Sequence, residues 1–136
     1  MSNEPILVAI AWPYANAPIH VGNLTGSHLP GDIIARYHRL KGNRVLMVSG
    51  TDSHGTPVTL RADADGIPAE EVYQIFHHQF IDLFQKAGIS YDLYTTTHTA
   101  NHFKVSPSIF LALKVNGYLY TETRPQWYSP AAKKFL

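Results

Sequence analysis

The sequence predicts an α/β fold, the first half of a doubly wound parallel-sheet domain. Short apolar runs at 6–11, 45–48 and 91–95 alternate with longer segments whose apolar residues recur at helical spacing. Polar loops rich in Pro and Gly follow the first two runs directly. That is where an open parallel sheet keeps its ligands, beyond the carboxyl ends of its strands.

Each element has its own signal. The run 6–11 reads as a buried strand. From Gly22 a helical pattern begins, with Leu29, Ile33, Ile34, Tyr37 and Leu40 near one face. Pro30 lacks a backbone donor and should kink or restart that helix, and Gly42 should end it. The run "VLMV" at 45–48 is a second buried strand, and a short helix is expected over 58–65, closed by Gly66. Pro68 opens a third helix, with Glu70 and Glu71 in the dipole-favoured first turn. Its stripe is Val72, Ile75, Phe76, Phe80, Leu83 and Phe84, and Gly88 stops it. A third strand follows at 91–95. Thr99 can cap a last helix running to Asn116, interrupted by Pro107 and stopped by Gly117. Two short strands around a turn are expected at 118–121 and 126–128. The strand–helix alternation stops after Tyr94, so the pattern is one half of a fold that normally has two.

Bulk properties exclude several classes. The 136 residues suffice for one core, and 45% hydrophobic with 15% charged content reads as globular. A net charge of +1 demands no nucleic acid. There is no cysteine, which excludes disulfides and thiolate metal sites and fits a reducing compartment. No signal peptide and no membrane-spanning apolar run is visible.

The two polar loops carry the chemistry. In "WPYANAPIHVGN", residues 12–23, His20 and Asn23 flank a helix start, where free amides and a partial positive charge suit phosphate. Gly22 would let a flat group approach the backbone. The loop is neither a Walker loop nor a G-x-G-x-x-G fingerprint. His20 and Asn23 could equally do no more than cap the helix. In "SGTDSHGTP", residues 49–57, Asp52 would suit an ammonium group or close an Asx turn on its own backbone.

The longer stretches "AWPYANAPIHVGN" and "LPGDIIARYHRLKGNRVLMVSGTDSHGTP" resemble the methionyl-tRNA synthetase family over nearly the whole chain. His20-Val21-Gly22-Asn23 is similar to the His-Ile-Gly-His signature of class I synthetases in its variant ending in Asn. "GTDSHGT" is similar to the methionyl version of the second loop. The resemblance implies a Rossmann-like nucleotide-binding fold, and a ligase that joins methionine to tRNA through an adenylate. It implies that His20, Gly22 and Asn23 bind ATP, brought with magnesium. His20 and Asn23 would be catalytic and stabilise charge on the transferring phosphate. Asp52 would hold the methionine ammonium, Ala11 and Trp12 would line its site, and Tyr14 would close over the thioether side chain. Methionine, ATP and tRNA are then the partners, the location is cytoplasmic, and no membrane is involved.

The chain also departs from the family. The Lys-Met-Ser-Lys-Ser loop is absent, and with it the second half of the fold. Residues 1–117 are read as the first half of the catalytic fold and 118–136 as the start of an inserted connective domain. Relatives often place a Cys-x-x-Cys zinc knuckle where this chain has Ser129 and Ala132, so no zinc site is expected here. Of the remaining histidines, His98 and His102 have a spacing that can ligate metal but lack a third ligand. His77 and His78 read as solvated, and Lys133 and Lys134 as a solvated turn. A fragment of this kind should be inactive alone and self-associate along the open edge of its first strand. The alternative is a stand-alone nucleotide- or amino-acid-binding module without catalysis.

Overall fold

The computed structural model describes residues 5–132 and 134–135. They divide after Thr99 into two compact units. In the first, β1 (Ile6–Ala9), β2 (Val45–Thr51) and β3 (Leu93–Thr96) form a parallel sheet in the order β1-β2-β3. Ile6 pairs with Val45, and Val48 pairs with Ala9 on one side and Leu93 on the other. Each crossover is helical, as parallel pairing requires.

The first crossover is one helical run in three parts: α1 (Val21–Asn23), a π-helical turn (Leu24–His28) and α2 (Leu29–Leu40). Pro30 sits in the first turn of α2, directly after the π turn, and the helical run continues through it. The π turn has no counterpart in the sequence reading. The second crossover holds α3 (Thr56–Asp65) and α4 (Ala69–Lys86). Gly66 stands after α3 in the left-handed region, with φ 68°, and caps it.

The core lies on one face of the sheet. Val8 and Met47 meet Ala35 of α2, Val58 and Ala62 of α3, and Val72, Phe76, Phe80 and Phe84 of α4. On the other face Leu7, Leu46 and Leu93 are more than half exposed. The expected strand 6–11 is shorter, because the chain leaves the sheet after Ala9. The second strand is longer, reaching Thr51, which carries the polar residues Ser49 and Thr51 into the buried layer.

The second unit contains α5 (Ala100–Val115) and a small hairpin of β4 (Tyr128–Ser129) and β5 (Lys134–Phe135). Pro107 lies inside α5. The strand expected at 118–121 is not formed, and the one expected at 126–128 survives only at Tyr128 of β4; the pairing is Tyr128 with Phe135 and Ser129 with Lys134. The Ser129 hydroxyl accepts the Ala132 N–H at 3.2 Å, so the turn closes on itself. Lys133 lies outside the described residues.

α2 approaches the sheet at Gly31. A Cβ there would run into Ile10 Cδ1 and lie 3.1 Å from its Cγ1, and Met47 would be 3.6 Å away. Gly31→Val should therefore overpack this contact and destabilise the unit by about 1–3 kcal/mol. Urea denaturation measures it, and an unchanged midpoint would mean that Ile10 yields freely.

Candidate functional site

The loops that leave β1 and β2 meet at the carboxyl end of the sheet. Asp52 donates its N–H to the Pro13 carbonyl at 2.8 Å and accepts the Ala15 N–H at 3.0 Å, so Tyr14 and Asp52 form a parallel bridge. Two segments 38 residues apart (52 − 14) thus make one ledge. Ala15 is fully buried beneath it.

Trp12 lies flat on the strand end. A Cβ on Gly50 would sit 2.7 Å from Trp12 Cη2 and Cζ3, so only glycine at 50 leaves room for the indole. Trp12 and Tyr14 still expose 40% and 48% of their surface. They form an open aromatic wall rather than a core contact.

The helix start completes the hollow. His20 is in extended conformation and caps α1. Its Nδ1 accepts the Asn23 N–H at 3.2 Å, while Asn23 Oδ1 accepts the His20 N–H at 3.3 Å. This reciprocal cap fixes the polarity of both side chains. With Nδ1 accepting, the neutral imidazole carries its proton on Nε2. With Oδ1 accepting, the Asn23 amide is left with its NH₂ as a donor. The acceptors therefore turn inward and the donors outward, beside the unpaired first amides of the helix. Gly22 permits this: a Cβ there would be 3.0 Å from His20 Nδ1 and Cε1 and would push the ring away. Trp12, Tyr14, Asn16, His20 and Asn23 line one hollow of about 330 Å³.

Asp52 reaches the same ledge but does not line that hollow. Its carboxylate accepts only a long bond, 3.4 Å, from the His54 N–H, and among the described residues no cation pairs with it. Ala11 is exposed at the exit of β1. Capping and Asx turn, which the sequence offered as alternatives to ligand binding, are thus both present, and both leave polar groups facing outward.

Behind the ledge is a network that the sequence did not reveal. Thr51 Oγ1 is 2.8 Å from His77 Nδ1 and 3.1 Å from the Tyr94 hydroxyl. Burial, with the charge of neighbouring His78, holds the His77 pKa below its ordinary value. His77 is therefore not the solvated residue that its helical position suggested. Burial pushes the Tyr94 pKa up, and a bond from Thr51 only partly opposes this. The Ser53 N–H bonds to Thr97 Oγ1 at 2.8 Å. His98 stacks on Tyr73 at 4.5 Å and on His54 at 5.7 Å, with its Nε2 3.8 Å from Glu70 Oε1. Among the described residues, no three potential metal ligands lie together. Nor is any helix there long and apolar enough to cross a membrane.

Comparison with known proteins gives a consistent answer. The chain is 55% identical over 98% of its length to a methionine–tRNA ligase of Roseiflexus sp. (strain RS-1), and 50% identical over 98% to that of Thermomicrobium roseum (strain ATCC 27502 / DSM 5159 / P-2). It spans 22% and 23% of those two relatives. Its fold matches the solved structure of Mycobacterium tuberculosis methionyl-tRNA synthetase in complex with methionyl-adenylate, with a TM-score of 0.84 and 30% identity. That match covers 98% of this chain and 26% of the other. The family model described as tRNA synthetases class I (M) matches residues 6–136, and the chain therefore belongs to that family.

Proposed function

We propose that this chain forms the first part of a methionine–tRNA ligase, and that the hollow and the adjoining ledge at the carboxyl end of its sheet take ATP and methionine. The observation that carries this reading is the reciprocal cap, which turns the His20 and Asn23 donors outward at a helix start. The names of the relatives and the adenylate bound by the structural neighbour support it. ATP enters as its magnesium complex. Residues 118–136 begin a connective domain, and tRNA is the acceptor in the complete, cytoplasmic enzyme.

In this reading a methionine carboxylate oxygen attacks the α-phosphorus of ATP. The bond to the bridging oxygen breaks, and pyrophosphate leaves with that electron pair. The acyl group then passes to a tRNA hydroxyl and AMP departs. Negative charge spreads over the α-phosphate oxygens during transfer. His20 Nε2–H, Asn23 NH₂ and the first helical amides are donors already in place for that charge. They need no reorganisation at the moment of reaction. Gly22 keeps the imidazole folded against the helix start. Asp52 pairs with the methionine ammonium, while Trp12 and Tyr14 hold the thioether and Ala11 leaves the strand exit open beside them.

Methionine-dependent ATP–pyrophosphate exchange by the full-length protein tests both roles. Asp52→Asn should lose about 2–5 kcal/mol of apparent methionine affinity, because it removes one partner of a charged contact. An Asn variant with wild-type efficiency would remove Asp52 from the site. His20→Asn separates capping from charge stabilisation, since Asn is itself a strong N-cap. It should keep the melting temperature and lower kcat about 10²–10³-fold. A rise in KM with kcat unchanged would assign His20 to ground-state binding.

The chain by itself should form no adenylate at a useful rate and should self-associate through the free edge of β1 and the Leu7, Leu46 and Leu93 face. Light scattering on residues 1–136 checks this, and a clean monomer would count against it.

A further inference from the structure

We propose that the π turn Leu24–His28 aims the catalytic helix start, and that His28 is the positioning residue that holds the turn. This rests on the reading of His20 and Asn23 given above. α2 is anchored independently of the turn. Asp32 accepts the Ser90 N–H at 2.7 Å, and Arg39 Nη2 lies 2.7 Å from Asp92 Oδ2. Between that anchored helix and His20 the chain carries one residue more than a continuous α-helix would need. The Leu29 N–H bonds to the Leu24 carbonyl, five residues back instead of four. One residue turns a helix by about 100°. The turn therefore decides which way the His20 and Asn23 side chains face.

A π turn is rare and less favourable than α geometry; Pro30 just after it disfavours an unbroken α-helix, and a packing contact must orient the turn as well. The exposed side of the turn supplies none: a Cβ on Gly26 would meet nothing within 4 Å. His28 is the buried residue of the turn, at 2% exposure. Its Nδ1 is 2.6 Å from the Tyr91 hydroxyl, and its ring lies 4.5 Å from that of Phe84. Burial lowers its pKa, which keeps the ring neutral and able to share that bond. The bond joins the turn to the segment leading into β3. The catalytic helix start is thus indexed to the sheet through one imidazole that touches no substrate.

The test uses the full-length protein and exchange kinetics with melting temperatures. Deleting Gly26 removes the extra residue and lets the turn become α-helical. Pro30 would then lie inside a continuous α-helix, so the melting temperature should fall; kcat, measured well below it, should drop about 10–10²-fold with the methionine KM within about twofold. His28→Leu should show the same kinetic split. His28→Asn keeps a side-chain amide that can pair with the Tyr91 hydroxyl in either role, and should recover most of the loss. A Gly26 deletion with wild-type kcat, or an Asn variant no better than Leu, would overturn the proposal. A wild-type protein without exchange activity would instead sink the ligase reading. In that case the His20 ring-nitrogen and Asn23 amide NMR shifts decide, since they need no turnover. If the Gly26 deletion leaves them unmoved, the turn does not aim the helix start.

Discussion

One carboxylate, Asp32, ties the first crossover to the rest of the unit. It is 4% exposed, and it takes Ser90 N–H, Ser90 Oγ–H and Arg36 Nε–H as donors. Burial by itself would raise its pKa; the bonds from Ser90 and Arg36 outweigh that and hold it below the usual value. Arg36 goes on to the Gly88 carbonyl, and Arg39 to Ser90 and Asp92. Asp92 in turn accepts the Met47 N–H at 2.6 Å, so the clamp reaches the central strand. Removing a buried charge's partners is costly, because the charge then has neither water nor donors. Helix, loop and strand are therefore fixed relative to one another before any ligand arrives.

The site inherits that rigidity but divides it by sign. The helix start offers only donors, because its acceptors are consumed by the reciprocal cap. The other loop offers an anionic group, because Asp52 spends its backbone, and not its carboxylate, on joining the loops. The proposed ligands, a zwitterionic amino acid beside a polyphosphate, would need this arrangement: a negative group for the ammonium, and donors for the phosphates. Local structure uses one end of these side chains and leaves the other end free for the proposed ligands.

Most of this was legible in the sequence, and the failures have physical causes. Gly66 and Gly88, the Glu pair before Val72 and the apolar run at 45–48 marked their elements, because turn chemistry and burial act locally. The π turn left no trace, since "LTGSH" has no composition that separates i+5 from i+4 bonding. His77 was misread because helical position alone does not reveal that Thr51, 26 residues earlier, supplies its partner. The strand expected at 118–121, and all but Tyr128 of the one at 126–128, failed for another reason. Aromatic content there mimics strand propensity, while the actual pairing is set by the turn that Ser129 closes. His20, Gly22 and Asn23 could be named from their place at a helix start, and Trp12 and Tyr14 only through the family resemblance. That Gly50 makes room for the indole could not, because it depends on a contact 38 residues away (50 − 12).

Every pairing in the main sheet is parallel, and that governs the order of events in time. No tight turn can zip β1 onto β2, since 39 residues separate Ile6 from its partner Val45 (45 − 6). A helix such as α4 relaxes in about a microsecond from purely local contacts, whereas non-local strand pairing must first close a long loop. The helices therefore exist before the sheet does, and the strands assemble on a surface already laid down by Val72, Phe76, Phe80 and Phe84. Until that moment the apolar segments 6–9 and 45–48 stand unpaired, which makes them the vulnerable part of a newborn chain.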